Sequence, residues 1–330
     1  MNIQNLLQQC VERRASDLHL SSGTSAMLRL NGDLTPISVD PLSRDEIHLA
    51  MMSIMSSTQQ SHFKNTLECD FSLEIEGLSR FRVNVFQQAR GMSAVFRVIP
   101  HCIPSLQSLQ APAVFSELVQ RTRGLVLVTG PTGSGKSTTL AAMVHSLNQS
   151  EPKHIITIED PIEFVHTSHQ CLIQQREVGA HTHSFANALR AALREDPDVI
   201  LVGELRDLET IRLAMTAAET GHLVLGTLHT SSAAKSIDRI VDVFPSEEKE
   251  MVRSMLSESL NAVISQVLCK RKDGEDRVAA YEVMVGTPAV RNLIREGKVA
   301  QLHSVIQTGR AVGMQTMEQS LAALAQHIKS

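Results

Sequence analysis

The segment Gly130–Ser137, GPTGSGKS, constrains this chain more than any other. It satisfies G-x-x-x-x-G-K-[ST] at every fixed position. The apolar run Leu125–Val128 precedes it, and a helix is expected over Ser137–Leu147. Strand, glycine-rich turn and helix in that order build an anion cradle. The glycines let backbone N–H groups converge on phosphate oxygens, and the helix N-terminus adds positive potential. The spacing assigns Gly130, Pro131, Thr132, Gly133, Ser134, Gly135, Lys136, Ser137 and Thr138 to ATP. Lys136 reaches the β- and γ-phosphates, Ser137 ligates Mg²⁺ and Thr138 adds a hydroxyl. A dinucleotide fingerprint does not fit, because Gly133-Ser134-Gly135 lacks the third glycine of that motif.

A phosphate loop of this kind needs a buried parallel sheet behind it, and the surrounding pattern supplies one. Leu125–Val128, Ile155–Ile158, Val199–Val202 and Leu223–Leu225 are apolar without alternation, as strands covered on both faces are. Helix-like segments alternate with them, so residues 113–286 are expected to form an α/β domain. Residues 1–98 read differently. Short alternating runs at Leu18–Leu20, Met27–Leu30 and Phe81–Phe86 suggest strands, with turns at Ser21–Gly23 and Asn31-Gly32 and a helix over Leu42–Met55. These make a small α+β domain. Pro100, Pro104 and Pro112 mark residues 99–112 as a linker. Residues 287–330 read as helical. One helix begins at Thr287-Pro288 and ends near Gly297, and a last one spans Thr316–Ile328.

Binding phosphate is not hydrolysing it; that requires a group to orient or deprotonate water. Glu204 follows the run Val199–Val202, and ligands of open α/β sheets sit at the carboxyl ends of the strands, so Glu204 is the expected general base. Gly203 stands where many such sites carry a magnesium-binding aspartate, which leaves Mg²⁺ to Ser137, phosphate and water. Ile158–Glu163, IEDPIE, also follows a buried strand. Three carboxylates there are costly to cluster without a nearby cation, and they orient either water or the metal's shell. His222 and His229 flank the strand at 223–225. They are read either as phosphate sensors or as ordinary polar histidines, and their spacing is poor support for a metal site.

Composition narrows the partners. A net charge of −4, no Trp, one Tyr and nine Phe speak against a duplex-binding or base-stacking surface. The one dense basic cluster, Lys270–Lys272, is followed by Asp273, Glu275 and Asp276. Five cysteines show no C-x-x-C spacing, so neither a zinc ribbon nor a disulfide framework is expected. No apolar run approaches the roughly 20 residues of a membrane span, and the start lacks a signal-peptide pattern. A cytoplasmic protein without direct membrane insertion is expected, peripheral at the inner membrane only through partners.

Together these segments resemble the type II/IV secretion ATPase superfamily. The phosphate loop is joined by IEDPIEF, by ALREDPDVILVGELRD and by TGHLVLGTLHT, which are similar to that superfamily's Asp box, Walker B region and His box. Within it the chain is most similar to the type IV pilus retraction (twitching motility) ATPases. It reaches ASDLHL almost at once, lacks a paired C-x-x-C module, and carries AVRNLIRE, similar to the retraction motif, at Ala289, Val290, Arg291, Asn292, Leu293, Ile294, Arg295 and Glu296. On a helix, Ala289, Leu293 and Ile294 are expected near one face.

The resemblance implies a PAS-like N-terminal domain, a RecA-like ATPase domain with a C-terminal helical segment, and a homohexameric ring. It implies catalytic roles for Glu163, His222 and His229, and that Arg82 and Arg97 complete the nucleotide site. The implied activity is ATP-driven pilus retraction against an inner-membrane platform protein, by rotation of the N-terminal domain against the ATPase domain. Two alternatives stand beside it. One is an accessory nucleotide-binding ring that assists a paralogous retraction ATPase; the other is a DNA-linked RecA-like ATPase, which the charge and aromatic content disfavour.

Overall fold

The computed structural model describes residues 2–30, 32–37, 39–99, 102–272, 277–326 and 328. The chain divides into two compact units, Met1–Cys102 and Ile103–Ser330.

The first unit runs α1 (Ile3–Glu12), β1 (Asp17–Ser21), β2 (Met27–Leu30), β3 (Asp33–Pro36), α2 (Arg44–Ile54), α3 (Ser57–Thr66), β4 (Glu68–Ile75), β5 (Ser79–Gln88) and β6 (Gly91–Ile99). Its strands form one antiparallel sheet in the order β3-β2-β1-β6-β5-β4. Period-two patterning decides its faces. Phe81, Val83 and Val85 are buried in the core with Leu7, Leu18 and Phe96, while Arg80, Arg82 and Asn84 fall on the other face of β5. Leu30 pairs with Asp33 and Gly32 has φ +99°, a two-residue hairpin; Asn31, the other residue of the expected turn, lies outside the described residues.

The second unit contains α4 (Val114–Val119), β7 (Gly124–Thr129), α5 (Lys136–Ser150), β8 (His154–Glu159), β9 (Leu172–Glu177), α6 (Phe185–Ala192), β10 (Val199–Val202), α7 (Leu208–Glu219), β11 (Leu223–Leu228), α8 (Ala233–Asp242), α9 (Lys249–Ser259), β12 (Leu260–Lys270), β13 (Arg277–Val285), α10 (Pro288–Arg295), α11 (Leu302–Thr308) and α12 (Met317–Leu324). Its sheet has the order β13-β12-β7-β11-β10-β8-β9, parallel except for β13. The unbroken apolar runs have a simple cause. Leu125, Leu127, Ile156, Ile200 and Val224 fill the core on one face, and Val126, Val128, Ile155, Leu201 and Leu225 fill the core on the other.

Residues 103–112, read as linker from their prolines, pack onto this second unit. Leu106 is buried with Phe115 and Leu118, and Leu109 and Ala111 lie against them. Pro100 lies outside the described residues. The last helix is shorter than its sequence suggests: Thr316 caps it through a capping box with Gln319, but it ends at Leu324. Ile328 instead forms a β-bridge with Arg271. Lys270 ends β12, and Asp273, Glu275 and Asp276, which follow the basic cluster, lie outside the described residues. Among the described residues no helix is long and apolar enough to cross a membrane.

Gly286 follows β13 at the open end of the β12–β13 pair, against the start of β12. Its N–H donates to the Asn261 carbonyl at 2.7 Å, and a Cβ there would lie 2.1 Å from the Leu260 carbonyl oxygen. Backbone cannot yield as a flexible side chain can. Gly286→Ala is therefore expected to cost about 2 kcal/mol, roughly 4–8 °C in Tm by thermal unfolding. An unchanged Tm would show that the hairpin end relaxes freely.

Candidate functional site

Parallel strands place all their carboxyl ends on one edge. Adjacent β7, β11, β10 and β8 therefore bring together the phosphate loop, His229, Glu204 and the Glu159–Glu163 segment, which are far apart in sequence. Neighbouring strands lie about 4.8 Å apart, so these groups share one cleft.

The loop has the backbone that its glycines permit. Gly130, Gly133 and Gly135 have φ of +146°, +77° and +86°, and Gly135 leads directly into α5. The ammonium of Lys136 is buried and donates to the Gly130 and Pro131 carbonyls at 3.0 and 3.1 Å. Burial lowers its pKa, opposed by the charges of Glu204 and Glu163. Both carboxylates thus lie within electrostatic reach of the lysine. Ser134 is also buried, its hydroxyl without a hydrogen-bond partner.

Glu204 stands two residues past β10. One carboxylate oxygen lies 2.6 Å from Arg206 Nε and 3.3 Å from His229 Nε2. Burial pushes its pKa up, but the Arg206 hydrogen bond and the charges of His229 and Arg206 outweigh it. The carboxyl therefore sits below its ordinary range and is ionised at neutral pH. The same contacts hold its orientation, as a water-activating base requires.

Glu159 ends β8 and lines a small cavity of about 30 Å³ with Ser137, His166, Gly203 and Thr227. Its carboxylate accepts from the Thr157 hydroxyl at 2.6 Å and the Gln175 amide at 3.2 Å, and from the Glu163 backbone N–H at 3.4 Å. Burial nevertheless raises its pKa. Glu159 and Ser137 line the same small cavity. Glu163 itself is exposed. Gly203 is also accounted for: its N–H donates to the Ile158 carbonyl at 2.7 Å, and a Cβ would lie 3.2 Å from that oxygen and 3.3 Å from Glu159 Cα. An aspartate there would crowd the end of β8.

One expected residue of the second unit lies away from this cleft. His222 precedes β11 at the amino ends of the strands, the opposite edge from the phosphate loop. Its Nδ1 meets the Ala217 carbonyl at 3.1 Å at the end of α7. Six residues of strand put it roughly 20 Å from His229. Arg82 and Arg97, in the first unit, are directly opposite each other on β5 and β6. Like charges so placed repel, and each is held by a carboxylate: Arg82 by Asp70 at 2.6 Å, Arg97 by the buried Asp17 at 2.9 Å.

In the AVRNLIRE helix, α10, the buried side chains are Val290 and Ile294, with Leu293 partly buried. Ala289 is exposed with Asn292, Arg295 and Glu296. Of the expected grouping, Leu293 and Ile294 do face the core and Ala289 does not; Val290, four residues before Ile294, takes its place. Arg291 is a cap: it donates to the Gly286 carbonyl at 2.8 Å, to Ser257 at 2.6 Å and to Glu258, satisfying carbonyls at the end of α9. Arg295 pairs with the Glu258 carboxylate.

Glu159 is one of the three carboxylates of the Ile158–Glu163 segment, whereas Arg206 and Gln266 were not singled out from the sequence; Arg206 sits inside a motif read for Glu204. Gln266 carried a signal, an amide alone in the apolar run VISQVL, since buried amides require partners.

Comparison with known proteins follows the same lines. The profile of the family described as type II/IV secretion system protein matches residues 1–329. The type IV pilus retraction ATPase PilT of Pseudomonas aeruginosa is 60% identical over 324 residues, covering 98% of this chain and 94% of that protein. The type IV pilus ATPase PilU of the same organism is 40% identical, covering 98% and 85%. A crystal structure of the pilus retraction motor PilT with bound ADP superposes with a TM-score of 0.92 at 46% identity, covering 100% of this chain and 95% of that one. Matched from end to end and carrying the phosphate loop, Glu204 and His229 on one sheet edge, the chain belongs to the type II/IV secretion system protein family.

Proposed function

We propose that this protein is an ATP-hydrolysing motor that powers type IV pilus retraction as a ring of six identical chains. The observation that carries it is the Glu204 carboxylate, ionised and oriented by Arg206 and His229 at the sheet edge where the phosphate loop opens. In this reading the backbone N–H groups of residues 133–138 bind the phosphates and Lys136 neutralises them. Glu204 takes a proton from the attacking water as ATP becomes ADP and phosphate. His229 steadies Glu204. Mg²⁺, held by Ser137 with Glu159 and Glu163 behind it, would offset charge on the phosphates. His222 is proposed to act at the opposite edge of the sheet.

The first unit is read as PAS-like and the second as RecA-like. Arg82 and Arg97 are proposed to serve the nucleotide's phosphates; their placement side by side supports that reading, since paired guanidinium groups suit phosphate. The protein is placed in the cytoplasm, acting on an inner-membrane platform protein. A relative named as a type IV pilus retraction ATPase, at 60% identity, and one named as a twitching motility protein, at 59%, support the retraction reading over nearly the whole chain.

The test is steady-state ATP hydrolysis by the purified protein, with its mass measured in the same buffer. Turnover together with the mass of six chains is the expected result. Nucleotide binding with no turnover would transfer the reading to an accessory ring.

A further inference from the structure

We propose that Gln266 is a positioning residue of the phosphate loop, holding it in its anion-binding shape from the neighbouring strand. The inference rests on reading Gly130–Ser137 as the site for a nucleotide's phosphates. In such a loop the N–H groups turn inward, so the carbonyls must turn outward, and a buried outward carbonyl needs a donor. The Gln266 amide supplies it: Nε2 donates to the Ser134 carbonyl. Its other end is occupied too, because the Thr139 hydroxyl on the first turn of α5 donates to Oε1 at 2.8 Å. The Ser134 carbonyl, which can only accept, decides which end of the amide faces the loop, and the Thr139 hydroxyl satisfies the end left over. One side chain thereby ties together the two halves of the anion site, the loop and the helix that follows it.

The fit leaves little slack. Gln266 is 1% exposed. A Cβ on Gly130 would lie 2.4 Å from the Gln266 backbone oxygen, and one on Gly135 would lie 3.1 Å from its Nε2. Strand β12 therefore lies against the loop with backbone and side chain alike. It is fixed beside β7 by the buried Thr129–Ser265 hydroxyl pair at 2.7 Å, one residue before each segment reaches the loop. Gln266 touches no reacting atom in this account; it acts through the peptide groups of the loop.

The test is equilibrium binding of a fluorescent ADP analogue to the full-length protein, with ATPase kinetics and unfolding without nucleotide measured in parallel. Gln266→Leu keeps the volume and removes both polar ends. It is expected to weaken ADP binding about tenfold, the scale of one hydrogen bond lost to a buried group. KM for ATP should rise in parallel, while kcat at saturation stays within about twofold, because Glu204 and its partners are untouched. Thr139→Val leaves the amide in place but leaves its buried Oε1 without that donor, and a smaller loss of the same kind, about threefold, is expected; it also reads the link if Gln266→Leu fails to fold. Wild-type affinity in a folded Gln266→Leu, a fall in kcat with KM unchanged, or an unfolded Gln266→Leu beside an unaffected Thr139→Val would each overturn the proposal. Absence of ADP binding by the wild type would instead overturn the phosphate-site reading beneath it.

Discussion

Glu204→Gln is expected to bind ATP with wild-type affinity and to turn it over at least ~100-fold more slowly, the range set by loss of a general base. The substitution is nearly isosteric and keeps an oxygen that Arg206 and His229 can approach, so the cleft should keep its shape. What it removes is the charge that accepts water's proton. The pH dependence gives a second reading. Because Arg206 and His229 hold the Glu204 carboxyl below its ordinary range despite burial, its basic form persists through neutral and mildly acid pH. The acid limb of the wild-type rate profile should lie below the usual carboxylate range. A mutant retaining a tenth of the activity would place the base elsewhere, with Glu159 the next carboxylate on the same edge.

Lys136→Ala is expected to fail at the earlier step. Its ammonium sits where the loop carbonyls of Gly130 and Pro131 converge, within electrostatic reach of Glu204 and Glu163. Charge-assisted bonds to phosphate contribute about 3 kcal/mol when lost together, so nucleotide affinity should fall more than ~100-fold in a direct binding measurement. Stability without nucleotide should move little or rise, because burial already disfavours the charged form and lowers its pKa. A variant that loses stability but keeps its affinity would mark Lys136 as a fold residue. The two substitutions thus separate by readout, one sparing binding and the other abolishing it.

Much of this was legible in the residues. Buried strands at 125–128, 155–158, 199–202 and 223–225 have one-dimensional signatures, because a strand covered on both faces must be apolar at every position. The loop motif is equally local: strand, glycines, lysine and helix are consecutive. Glu204 was legible because a carboxylate directly after a buried parallel strand has only one edge to occupy. Strands β12 and β13 were not legible as a closing hairpin, since their pairing depends on which edge of the sheet remains open. On α10 the inward places of Leu293 and Ile294 were legible, but Val290 rather than Ala289 joins them because α9 and the core meet the helix on that side.

The sequence by itself therefore determined the phosphate loop, the parallel α/β core and the candidate base, since each rests on residues adjacent in the chain. Only the tertiary structure decided that Arg206 and His229 orient Glu204, and that Glu159 shares a cavity with Ser137. It also decided that Gln266 braces the loop from 132 residues away and that His222 stands at the far edge of the sheet. Spacing along a chain carries helix and strand periods of two to four residues. Which strand lies beside which, and which end of it faces the cleft, is set by burial of both sheet faces at once, and no local pattern records that.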